Sequence, residues 1–116
     1  MAVSPVVDSE IINTIFRHGF KLDSYTALLT AEIAIPATFP PVLILDPNGA
    51  TQDVLLPAEA DSKGLFFLVI NDGAGTEILV VKEDSDTTTI ATVTFPEIGI
   101  FYCDGVAWRG GVMPVT

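Results

Sequence analysis

The chain reads as an all-β protein: a small β-sandwich or barrel-like domain preceded by an N-terminal arm containing a short helix. Three observations predict this. From Tyr25 onward, runs rich in Val, Ile, Thr and Phe alternate with turn signals at intervals of about 8–12 residues, the spacing of sandwiches and small barrels. The one cysteine, Cys103, permits no intrachain disulfide, so the core has to come from apolar packing. A chain of 116 residues makes one domain that buries roughly two-thirds of its unfolded surface.

Residues 1–24 differ from the rest and form the arm; residues 25–116 form the β domain. Asp8 or Ser9 can cap a helix whose apolar positions are Ile11, Ile12, Ile15 and Phe16, with Gly19 placed to end it. These positions make one apolar stripe. A helix of about ten residues is marginal alone and needs a surface to pack on. That surface is either the open end of the β core or a neighbouring subunit or partner.

The expected strands are Tyr25–Leu29, Glu32–Ile35, Val42–Leu45, Asp53–Leu56, Leu65–Asn71, Thr76–Lys82, Thr88–Phe95, Ile98–Cys103 and Ala107–Arg109. Ala37–Pro41 holds two prolines and is neither helix nor central strand. Asp46-Pro47-Asn48-Gly49 fits a type I turn position by position. Leu65–Ile70 is unbroken apolar, the pattern of a strand covered on both faces. Asn71–Gly75 reads as a hairpin turn into Ile78–Val81, and Asp104-Gly105 as a second hairpin that returns Trp108 across its partner strand. Whether the strands make a sandwich or a barrel stays open at this level.

Composition narrows the function. The net charge is −10, from 15 acidic and 5 basic residues. This argues against nucleic acid and against an anionic membrane as partners, because both require clustered Lys and Arg. The longest apolar run, Leu65–Ile70, is far short of the ~20 residues that span a bilayer as a helix. The start, Met1-Ala2-Val3-Ser4-Pro5, lacks the basic region of a secretory signal, so a product of the cytoplasm is expected. Hydrophobic residues make up 49% and charged residues only 17%. Surplus apolar surface of this kind points to burial between subunits.

No catalytic constellation emerges. His18 has no second His or Cys at ligand spacing, and its place near the expected helix end suits an imidazolium meeting the helix dipole. Cys103 reads as a small buried hydrophobe. Asp84, Asp86 and Thr88 lack the D-x-D-x-D-G pattern and distal Glu of a calcium loop. Gly73 and Gly75 follow a strand, but the spacing is not that of a dinucleotide loop and a strand follows instead of a helix. No cofactor, metal or enzymatic activity is expected. Phe66, Phe67 and Trp108 are candidates for core or inter-subunit packing, with sugar stacking at Trp108 as the alternative.

Three motifs then line up: Leu45-Asp46-Pro47-Asn48-Gly49 running on to Val54-Leu55-Leu56-Pro57, Val69-Ile70-Asn71 with its Gly-rich turn, and Cys103-Asp104-Gly105 with Trp108. In this order the stretch from about 25 to 111 resembles the head decoration, or cement, proteins of tailed double-stranded DNA bacteriophages. The resemblance implies a structural protein without enzymatic activity. It implies a homotrimer on the outer surface of the virion, made in the host cytoplasm, with the major capsid protein as partner. It also implies termini that reach along the shell, so Ile11, Ile12, Ile15, Phe16 and Phe20 become the expected capsid-binding arm. Similar modules occur in phage fibre and tail-tip proteins, where the function would be recognition of a host-surface glycan through Trp108 or Tyr102.

Overall fold

A computed structural model describes Gly19 and residues 21–113. The nine expected strands are all present: β1 (Ser24–Leu28), β2 (Ile33–Ala34), β3 (Val42–Asp46), β4 (Gln52–Leu55), β5 (Phe66–Asn71), β6 (Ile78–Lys82), β7 (Thr89–Thr94), β8 (Ile98–Cys103) and β9 (Trp108–Met113). A 3₁₀ turn, Glu59–Asp61, lies between β4 and β5. The fold is all-β. The last strand runs beyond its expected end at Arg109, to Met113.

The strands form two sheets. The larger has the order β1-β3-β5-β8-β9 and the smaller β2-β4-β6-β7. Up to β6 the chain changes sheet at every connection. Consequently β1, β3 and β5 pair in parallel, as do β2, β4 and β6. Parallel neighbours need a crossover, and here the crossover is a strand of the opposite sheet in place of a helix. The last three strands add antiparallel pairs: β6 with β7, β5 with β8, and β8 with β9.

Between the sheets lies one core. Side chains alternate across each strand, and burial follows: β3 reads half-buried, buried, half-buried, buried, half-buried. Leu43, Leu45, Phe67, Val69, Phe101 and Cys103 face inward from the larger sheet, and Val54, Leu79, Val81 and Val93 from the smaller. The Phe39 ring, from the proline-rich stretch, stacks on Tyr25 with centroids 4.4 Å apart and covers the β1 end of this core.

Two turn expectations are corrected. Asn71–Gly75 does not close a hairpin, because β5 and β6 belong to different sheets. Asn71 directs that crossing. Its buried amide donates to the carbonyls of Glu77 (3.0 Å) and Val93 (2.8 Å), while its Oδ1 accepts from the Gly73 N–H (2.9 Å). The turn after β3 is not type I: Asn48 and Gly49 have φ of 62° and 81°, the left-handed pair of a type I′ turn. The Asp46 carboxylate accepts the Asn48 N–H at 2.8 Å, and Glu77 accepts the Gly49 N–H at 2.8 Å. The turns after β3 and β5 thus share one set of side chains, next to the register pair Leu45 and Asn71. The hairpin expected at Asp104-Gly105 is present and joins β8 to β9.

Candidate docking surface

The larger sheet has a second apolar face. Its inward row is core; its outward row repeats nearly the same composition. Register aligns Val42, Leu68 and Ile100 in one outer row, Ile44, Ile70, Ile98 and Met113 in the next, and Phe66 with Tyr102 at one end. Leu28 projects from the edge strand β1 and is 60% exposed. Tyr102 and Met113 are exposed, and the central aliphatic side chains are half-buried. Ser24, Thr26, Asp46 and Arg109 are the polar residues of this face, all on its edge strands or at a strand end. β5 therefore carries apolar residues on both sides, as its unbroken run demands, yet among the described residues only the inner side is packed by the other sheet. The outer face of the smaller sheet is mixed: Asp53, Lys82, Thr92 and Thr94 interrupt Leu55, Ile78 and Val80.

The residues singled out from sequence separate on this geometry. Phe67 and Trp108 are core residues, with ring centroids 5.8 Å apart. Phe66 is not in the core; it lies on the outer face, because it is one residue out of phase with Phe67. Trp108 is only 6% exposed and its Nε1–H donates to the Pro57 carbonyl at 2.8 Å, which closes it to a sugar. Tyr102 keeps an exposed ring. Cys103 is buried. Ile11, Ile12, Ile15, Phe16, Phe20 and His18 lie outside the described residues.

Two polar groupings remain. Carboxylate oxygens of Glu32, Asp53 and Asp86 lie within 4.8 Å of one another. The Lys82 ammonium already sits against two of them, 3.0 Å from Asp53 and 3.0 Å from Asp86, and the Asp86 bond, followed by that to Asp53, raises its pKa. The adjoining loop folds onto Glu83, which accepts bonds from the Ser85 and Thr87 hydroxyls and is held below its ordinary pKa, with Ser85 the larger cause. These groups organise the β6–β7 end. At the other hairpin, the Asp104 carboxylate accepts the N–H groups of Val106 and Ala107, each at 2.8 Å, and pairs with Arg109 at 3.1 Å. The backbone bonds, that of Ala107 first, lower its pKa to about 2. This is turn chemistry: the side chain fixes the hairpin that returns Trp108 to the core.

Sequence reading found the apolar runs but not the face they make. The available signal was the β5 run itself, together with Val42-Leu43-Ile44-Leu45 and Ile98-Gly99-Ile100-Phe101, strands that are apolar at successive positions instead of alternate ones. No family model, curated protein or solved structure matches this chain. Among the described residues, no helix is long and apolar enough to cross a membrane.

Proposed function

We propose that this chain is a head decoration protein of a tailed double-stranded DNA bacteriophage. It acts as a homotrimer on the outer surface of the capsid, with the major capsid protein as its partner, and it performs no chemistry. The observation that carries this reading is the outer face of the five-stranded sheet, a continuous apolar surface on an otherwise acidic domain. Such a face marks association, and the chain's 15 acidic residues suit it to crowding on a shell without aggregation. The motifs behind the resemblance supply rigidity: they build the turns after β3 and β5 and the β8–β9 hairpin. A rigid domain that binds only the assembled shell stabilises that shell by mass action, and three linked copies gain avidity for a symmetric lattice.

The test is co-sedimentation of the full chain with expanded capsids, after its solution mass has been fixed by light scattering. A trimer that saturates expanded capsids and delays their disruption on heating is the expected result. A chain that ignores capsids but adheres to host cells would overturn the reading in favour of a fibre or tail-tip module, with Tyr102 as the aromatic to test by glycan binding.

A further inference from the structure

The larger sheet ends in two strand edges with no further strand beyond them among the described residues. Asp23 accepts the Val42 N–H and Leu29 donates to Asp46, so Ser24, Thr26 and Leu28 turn their backbone groups away from β3. At the other edge, the bond from Asp104 to the Ala107 carbonyl sets the parity: Gly110 and Val112 turn away from β8, and both are exposed. The smaller sheet protects its edges, as exposed edges ordinarily are. There β2 is two residues long, and the register of β7 on β6 shifts at Val81/Lys82. By contrast β1 and β9 run for five and six residues without proline, and Arg109 is their one charge.

We infer that these two edges pair between copies of the chain, β9 of one subunit against β1 of the next, and close three five-stranded sheets into a triangular prism with their apolar outer faces inside. This rests on the homotrimer of the decoration reading and names the surfaces that build it; the capsid plays no part in it.

Direction and register agree with such a joint. β1, β3 and β5 are parallel, and two antiparallel steps lead from β5 through β8 to β9, so β9 runs the same way as β1. Rotation about an axis along the strands therefore brings β9 onto the next β1 as a parallel pair. Aligning Thr26 with Gly111 and Leu28 with Met113 keeps the outer residues of both strands on the inside of the prism. Four backbone bonds then form: Gly110 N–H to Ser24, Thr26 N–H to Gly110, Val112 N–H to Thr26, and Leu28 N–H to Val112. The Ser24 N–H is already held by the Asp23 carboxylate at 3.2 Å. Leu28 and Met113, both exposed in the single subunit, cover each other.

Gly111 fits the inside of this corner. Its Cβ position has open space around it and its φ is not one that demands glycine, so nothing in its own subunit requires the residue. A glycine inside a strand marks the close approach of another backbone. Here the approaching strand is β1 of the next copy, with Ser24 and Thr26 as its small residues on that side.

Geometry selects three copies. Five strands at about 4.8 Å make a side of roughly 24 Å, which sets each sheet about 7 Å from a three-fold axis. Side chains fill about 5 Å of that, half the spacing of packed sheets, and the larger Phe66 and Tyr102 reach further. Two copies would stack their faces with the edges about 10 Å apart and unpaired, and four would leave a channel about 12 Å in radius. Each face covers roughly 480 Å²; three bring about 1,400 Å² together, within the range of specific interfaces, whereas two stop at about 960 Å². Charge permits the meeting. Asp46 and Arg109 are the charged residues of this face, at opposite ends of it, and the Asp46 carboxylate is engaged by the Asn48 N–H.

The experiment uses the full chain. Light scattering should give a mass of three chains. A Leu28→Cys/Met113→Cys variant treated with a short bifunctional thiol reagent should give a ladder that ends at three chains. Each single-cysteine variant should stay uncoupled, because like corners lie a full sheet width apart, and buried Cys103 should not react. Gly111→Lys has room in the free subunit but not inside the corner. It should dissociate to one chain at concentrations where the wild type stays trimeric, with the amide shifts of residues 89–94 retained as proof of folding. A wild-type monomer that binds capsids would give this face to the shell and overturn the inference. So would a trimer that neither couples through positions 28 and 113 nor responds to Gly111→Lys, and so would a ladder running past three chains, which marks an open assembly. A coupled trimer that ignores capsids would overturn the decoration reading and leave the interface standing.

Discussion

Trp108 and Pro57 tie the two sheets together. The indole Nε1–H of the first residue of β9 donates to the carbonyl just beyond β4, at 2.8 Å. The ring packs on Phe67 of β5, so one side chain closes the sandwich at the end opposite Asn71. Trp108→Ala removes both contacts and opens a cavity, with an expected loss of about 3–5 kcal/mol. Trp108→Phe fills most of the volume but leaves the Pro57 carbonyl unpaired, at an expected cost of about 1–3 kcal/mol. Urea unfolding of both variants gives the comparison. A Trp108→Ala protein of unchanged stability would mean that the indole is not part of the core.

Phe101 lies over two glycines. A Cβ at Gly99 would meet its ring at 2.6 Å, and one at Gly110, the cross-strand partner of Phe101, would collide with the ring and with the Ile100 carbonyl. Gly110→Ala should therefore destabilise by about 1–3 kcal/mol, the cost of overpacking. Gly111, one residue on, faces outward with nothing within 4 Å of its Cβ position. Gly111→Ala should stay within about 0.5 kcal/mol of wild type, as surface substitutions do. Thermal unfolding of the pair decides the matter, and equal shifts would refute the packing assigned to Phe101.

The strands were legible because period-2 burial and β-branched runs are local signals. Sheet membership was not. A period-2 pattern states which residues face a core but not which strand lies alongside. Asn71-Asp72-Gly73-Ala74-Gly75 has hairpin composition, yet Asn71 spends both amide hydrogens on the carbonyls of Glu77 and Val93 and sends the chain to the other sheet. Likewise, Phe66 and Phe67 are adjacent and equally apolar, and only the pairing of β5 with β3 and β8 puts Phe67 inside and Phe66 outside. The outer face was foreshadowed by runs apolar at every position. The Lys82 cluster was not, since Asp53 is 29 residues away from Lys82 and reaches it only through the β4–β6 pairing.

Asn71 is the buried polar residue on which that crossing depends. It is 2% exposed, and its side chain makes three hydrogen bonds to backbone groups. Asn71→Leu keeps the volume but strands two carbonyls and one N–H; each unpaired buried group costs about 1–3 kcal/mol. A loss of at least about 2 kcal/mol is expected. Asn71→Asp should be worse near neutral pH than in acid, because an ionised carboxylate would face two carbonyl oxygens that need donors, whereas its protonated form can satisfy one of them. Denaturant midpoints at pH 7 and pH 4.5 test this, and an Asp variant that gains nothing from acid relative to wild type would contradict the assigned bonds.

Asp104 sets a pH dependence of opposite sign. Its folded pKa is about 2 against an ordinary 3.8, lowered first by the N–H of Ala107, then by that of Val106, then by Arg109. Between those two values the unfolded chain binds more protons than the folded one, so folding stability falls as pH falls. The contribution is complete above pH 3.8 and is lost as the pH drops through about 2. Asp104→Asn keeps an acceptor for the two N–H groups but cannot ionise. It should be less stable than wild type at pH 6, and the gap should close progressively below pH 4. Carboxyl ¹³C titration of the wild type should place the Asp104 midpoint near 2. A midpoint close to 4, or a stability gap that persists unchanged to pH 2, would show that the hairpin does not hold the charged form of this side chain.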